Sequence, residues 1–220
     1  MLKSIFKKKP NKSNNELLLD VFYSGKYKET IKKAEIILSK EPHNTDVKRI
    51  IGLANYKIRR FESAKLIFVE IAEKTNIKDD WFNLCTSATR SKDLKLADKA
   101  FYEFMNESSI KGENGMLTQA NVLYQYMIAL KDIKEYNKAH EQLIVLKKYY
   151  AGIKQHDDNF LGQYGVPFIF TTLVSGKEIL DNVYTKEQIN NWLNDFAKQV
   201  DDYGKDSIKE FKEKHYPELV

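Results

Sequence analysis

The chain has 220 residues, long enough to bury a substantial core without staples, and its one cysteine, Cys85, excludes an intramolecular disulfide, a dithiol redox pair and a multi-cysteine metal site. Its formal charge of +5 is carried by residues 1–12, where Lys3, Lys7, Lys8, Lys9 and Lys12 stand without an acid; residues 13–220 therefore sum to zero, and the overall basicity gives no reason to expect a nucleic-acid-binding body. No apolar run approaches the roughly 18 to 20 residues of a membrane-spanning helix, and "MLKSIFKKKPNK" lacks the apolar core of a signal peptide, so a soluble, cytoplasmic protein is expected.

Residues 1–13 read as a basic, flexible tail. A solvated, solubilising segment is the reading that terminal charge runs favour. Two others stay open: a nucleic-acid contact, and weak contact with an anionic membrane surface in which Leu2, Ile5 and Phe6 enter the interface while the lysines meet lipid headgroups.

From residue 14 to about 150 the apolar residues recur at helical spacing, with few glycines or prolines to interrupt them. One figure appears four times: Tyr27, Thr30, Ala34, Ile37; Phe61, Ala64, Phe68, Ile71; Leu94, Ala97, Phe101, Phe104; Tyr136, Ala139, Leu143, Leu146. Its internal steps of three, four and three place each set on one helical stripe, and the small Ala or Thr lets a neighbouring helix approach closely. The repeat distance is 34, then 33, then 42 residues, the last lengthened by a loop around "NESSIKGENG". Upstream of each figure lies another apolar helix, "NNELLLDVFYSG", "DVKRIIGLANYKIRR", "DDWFNLCTSATRSK" and "LTQANVLYQYMIALKD", so the unit is a helical hairpin.

On these residues the chain resembles the tetratricopeptide repeat (TPR) family. Trp81 and Leu84 match the family's opening pair in the third unit, Ile51-Gly52 its Leu-Gly in the second, Gly25-x-Tyr27 its inter-helix turn in the first, and Pro42 the closing proline. Val21, Asn55, Ala88 and Leu130 stand where the family has a first-helix aromatic, and only one unit ends in proline. The expected fold is therefore all-α, an α-solenoid of antiparallel helix pairs with about four TPR-like repeats and C-terminal capping helices.

Beyond Tyr150 the register is lost, and Gly152, Gly162, Gly165 and Pro167 mark a break. Residues 151–220 read as a helical extension. "PFIFTTLVSGKEILDN" is expected to be a helix with Pro167 in its first turn, and the next is opened by a capping box at Thr185 and Gln188 with an apolar stripe of Ile189, Trp192, Leu193, Phe196 and Val200. A last amphipathic segment, "SIKEFKEKHYPEL", folds back onto it. Such divergent helices suit the end of a solenoid, which otherwise exposes apolar surface. A rival reading is carried by Val166-Pro167, around which residues 160–182 resemble the last strand-turn-strand-helix portion of a thioredoxin-like domain.

Little points to chemistry. His43, His140, His156 and His215 are scattered outside any metal-ligand spacing and read as surface residues; "HDDN" at 156–159 reads as a solvated turn, and Cys85 as a buried thiol in a first helix. No catalytic residues, metal ligands or cofactor site are expected, and the chain is read as non-enzymatic.

The TPR resemblance implies that first helices present side chains to a partner in a concave groove. Counting outward positions gives Asn15, Leu19, Phe22 and Tyr23; then Arg49, Leu53 and Tyr56; then Phe82, Thr86 and Arg90; then Tyr124, Ile128 and Lys131. Recurrent aromatics flanked by Arg or Lys suit a protein or peptide partner, with the arginines selecting acidic ones. The family's Lys and Asn clamp for chaperone carboxylate tails is absent, since Asn15 and Leu19, then Arg49 and Leu53, occupy those positions. The reading is an adaptor that binds another protein, with an immunity or inhibitor protein acting on a toxin or effector as the alternative, and tail-mediated membrane or nucleic-acid association as a second.

Overall fold

The structure, a computed structural model, describes residues 13–106 and 118–219. The lysine-rich segment up to Lys12 and most of the predicted loop insertion lie outside them. Twelve α-helices and a short 3₁₀ turn, Pro217–Leu219, form the ordered elements, with no strand among the described residues. They are α1 (Asn14–Tyr23), α2 (Tyr27–Leu38), α3 (Thr45–Lys57), α4 (Phe61–Thr75), α5 (Lys78–Arg90), α6 (Leu94–Asn106), α7 (Gln119–Asp132), α8 (Tyr136–Ala151), α9 (Asp158–Gln163), α10 (Ile169–Val183), α11 (Lys186–Ala197) and α12 (Asp202–His215). None is long and apolar enough to cross a membrane. The helices group into two compact units, Met1–Ser87 and Ala88–Val220.

In the first unit α1 packs on α2, α2 on α3, α3 on α4, and α1 also on α3, the nearest-neighbour stacking of an α-solenoid of antiparallel helix pairs. A capping box starts α1, Ser13 accepting from the Glu16 N–H while the Glu16 carboxylate accepts from the Ser13 N–H. One core cluster of this unit joins Leu18, Phe22, Ala34, Val47, Ile50, Ile51 and Ala54.

The repeated figure opens the second helix of every hairpin: α2 begins at Tyr27, α4 at Phe61, α6 at Leu94 and α8 at Tyr136. Its small residue comes one turn later, and Thr30, Ala64, Ala97 and Ala139 are all fully buried. The glycine of the second unit's Ile51-Gly52 pair is a packing position. A Cβ there would stand 2.8 Å from Cζ of the buried Phe68 on α4.

The turns between paired helices are one motif used four times. Two residues before each second helix the backbone is left-handed, with φ of +78° at Gly25, +62° at Arg59, +65° at Lys92 and +67° at Lys134. In each, two N–H groups reach back to the first helix: Gly25 to Phe22 O and Lys26 to Val21 O, Arg59 to Tyr56 O and Arg60 to Asn55 O, Lys92 to Thr89 O and Asp93 to Ala88 O, Lys134 to Lys131 O and Glu135 to Leu130 O. This is the Schellman pairing, which satisfies carbonyls that a helix end leaves without partners. Only the first turn has the glycine that a left-handed residue favours.

In the second unit α8 packs on α7, and α10 lies against both. Gly176 permits this approach, since a Cβ there would meet Cδ2 of Leu143 on α8 at 3.2 Å. The Tyr150 hydroxyl donates to Pro167 O at 2.6 Å and lies 2.8 Å from the Thr172 hydroxyl. α12 packs on α10 and α11. α11 opens with the expected capping box at Thr185 and Gln188, and its predicted stripe is buried. Two expectations are corrected. Pro167 lies ahead of the α10 N-cap, Phe168, rather than in the first turn. The thioredoxin-like reading of 160–182 needs strands, and the described residues there are helices α9 and α10 joined by a turn.

Candidate functional site

The first-helix positions separate into three environments once their neighbours are in place. Within the first unit, Phe22 is a core residue with edge contacts to Tyr23 at 5.6 Å and Tyr27 at 5.3 Å. Thr86 is also buried, its hydroxyl donating to the backbone carbonyls of Phe82 and Asn83 at 3.2 and 3.3 Å. Asn15, Leu19, Leu53, Tyr56 and Phe82 are half-buried. Leu19 and Leu53 rest on the core of the first hairpins, and the Tyr56 ring stands edge-on to Phe61 at 5.4 Å. Tyr23 is 79% exposed.

Arg49 faces inward along its own unit. Its Nε donates to Asp80 Oδ1 at 2.7 Å, its Nη2 to Asp80 Oδ2 at 2.8 Å and its Nη1 to Asp46 at 2.7 Å. Asp80 has no solvent exposure, and it also accepts from the Thr75 hydroxyl at 2.8 Å. The hydrogen bonds it donates to Asp80 hold the Arg49 guanidinium firmly in its charged form, against the opposing effect of its own burial. At the adjacent position, burial and the Asp80 charge push the Asp79 carboxyl above the ordinary carboxylate range.

In the second unit, Arg90 donates to Asp132 Oδ2 at 2.8 Å. Tyr124 is half-buried with its hydroxyl 2.9 Å from the Ser175 hydroxyl on α10, while Ile128 and Lys131 are half-buried. The Tyr126 hydroxyl and the Lys138 ammonium both donate to Asp98. Arg49 and Arg90, expected to read acidic partners, thus hold carboxylates of their own chain.

Sequence spacing placed His156 on the surface, and the structure corrects this: it is 2% exposed. Its Nε2 lies 2.9 Å from Tyr150 O, its Nδ1 3.1 Å from Asp201 Oδ1, and its backbone N–H donates to Asp201 Oδ2 at 3.0 Å. Asp201 is the N-cap of α12 and accepts from the Gly204 N–H at 2.9 Å. Burial pushes the Asp201 carboxyl up, and the N–H groups of Gly204 and His156 together bring it below the usual range. The cluster pins the loop after α8 to the start of α12. It lies in packed protein, which gives it a structural role; a histidine far in sequence from its aspartate leaves no spacing signal.

Cys85 is buried. Among the described residues, no group of three or more His, Cys, Asp or Glu side chains is gathered in a way that could hold a metal ion.

No family model and no curated protein matches the chain. It is similar to a solved structure of MamA AMB-1 at 12% identity, over 80% of this chain and 94% of that one, with a TM-score of 0.45. A likeness of that size carries nothing about partners.

Proposed function

We propose that this chain is a protein-interaction module whose first helices dock a protein or peptide partner without catalysing a reaction on it. The supporting observation is the state of Leu19, Leu53, Tyr56 and Phe82 on α1, α3 and α5: each stays half-exposed although fully buried residues lie within a turn of it, at Leu18, Ala54 and Cys85 for example. Large, partly ordered apolar side chains lose little conformational freedom on binding, so covering them favours association; completing the burial of one such aromatic contributes about 1 kcal/mol. Tyr23, the last residue of α1, is exposed as well.

Recognition in this reading is apolar. Arg49 and Arg90 are engaged by Asp80 and Asp132, so selection of an acidic partner by these two guanidinium groups is not part of the proposal. The test is affinity capture of partners by the full chain, followed by identification, in parallel with a Tyr56→Ala/Phe82→Ala variant. Loss of the captured protein with unchanged helicity supports the reading; undiminished capture by the variant overturns it.

A further inference from the structure

The second unit carries a depression of about 350 Å³ lined by residues of α9, of the start of α10 and of α12. Phe168, Phe170 and Tyr203 supply aromatic lining, with Phe168 38% and Tyr203 47% exposed. Asp158, Asp206 and Glu210 line it too, and no lysine or arginine does. No cation among the described residues is paired with Asp158 or Asp206.

The two halves of this lining constrain the occupant. An anionic or phosphorylated ligand would meet Asp158 and Asp206, carboxylates of its own sign that no cation offsets among the described residues. A purely apolar segment would cover the exposed rings while taking carboxylates out of water without compensation, which costs more than the rings return. A cationic side chain meets both demands, because an ammonium or guanidinium is attracted by aromatic faces and by carboxylates. The rim already holds one such arrangement: Lys214 Nζ lies 5.0 Å from the Phe170 ring centroid and pairs with Glu210 at 2.5 Å.

We infer that this depression binds a lysine- or arginine-rich segment of a partner protein, a cationic side chain resting against the Phe168 and Tyr203 rings with Asp158 and Asp206 as counter-charges. Its lining residues belong to α9, to α12 and to the start of α10, none of them a first helix, and the inference does not depend on the role of the first helices.

The test is a chemical-shift titration of the isotope-labelled full chain with an acetylated and amidated Gly-Lys-Lys-Phe-Lys-Lys-Gly peptide and with its counterpart carrying Glu for each Lys. The lysine peptide is expected to perturb amides at the start of α10 and along α12, and the effect should weaken with added salt. Tyr203→Ala and Asp206→Asn, both at exposed positions, should each reduce affinity about two- to fivefold while leaving helicity unchanged. Absence of perturbation in α10 and α12 at millimolar peptide, equal response to the glutamate peptide, or full affinity in both variants would overturn the inference.

Discussion

Arg49 on α3 forms a two-pronged hydrogen-bonded ion pair with Asp80 on α5, joining the first helices of successive hairpins through a carboxylate that no solvent reaches. A buried charge without its partner is costly, while the intact pair contributes little beyond an apolar replacement of equal size. Arg49→Ala should therefore destabilise the chain by about 3 kcal/mol, and Asp80→Asn by less, because it leaves a guanidinium that is partly exposed and still bonded to Asp46. Denaturant midpoints of the single and double variants check this: the double variant should cost less than the two singles added together.

The left-handed turns yield a prediction in the opposite direction. Lys92 and Lys134 hold φ near +65° with a Cβ that crowds the backbone, a strain glycine lacks. Lys92→Gly and Lys134→Gly should each raise stability by about 0.5–1 kcal/mol despite the greater freedom glycine gains in the unfolded chain, and Gly25→Ala should lower it by a similar amount. Thermal melts of the three variants measure the sign directly.

Gly52 is held to its identity by Phe68. A methyl group at that position would lie 2.8 Å from a ring with no room to move, so Gly52→Ala should destabilise by about 1–3 kcal/mol even though alanine is the better helix former. Combining it with Phe68→Leu should recover part of the loss. A neutral Gly52→Ala would place the α3–α4 crossing farther apart than the structure has it.

His140 makes stability pH-dependent. Burial holds its imidazole below the ordinary value against the weaker pull of Glu141, its Nε2 has no hydrogen-bond partner among the described residues, and its ring stands edge-on to Tyr184 at 4.8 Å. The unfolded chain then takes up the proton more readily than the folded one, so this contribution is present above the unfolded value of about 6.5 and is lost as pH falls from there through the lower folded value. The melting temperature should drop between pH 7 and 5.5, and His140→Gln should lessen that drop. An unchanged profile in the variant would assign the pH response to other groups.

Much of the helical scheme was legible because the repeated figure is local. Steps of three and four around a small residue specify which face of a helix is packed, and all four small residues are buried where that pattern requires. The turns were legible only once, at Gly25, since Arg59, Lys92 and Lys134 adopt the same geometry without the residue that advertises it. At the candidate site, outward positions could be counted along each helix, but their occupancy could not. Phe22 and Thr86 proved to be packed, and Arg49 and Arg90 to be paired with Asp80 and Asp132, 31 and 42 residues further along the chain.

What the sequence determined by itself was the succession of amphipathic hairpins, because helix periodicity and small-residue spacing act within a few residues of one another. The tertiary structure alone decided where the charges and rings are used: the buried carboxylate at Asp80, the His156–Asp201 pin and the acidic, aromatic depression beside α12 each join residues from separate helices and loops. Such contacts depend on distances that packing sets, and no spacing along the chain encodes them.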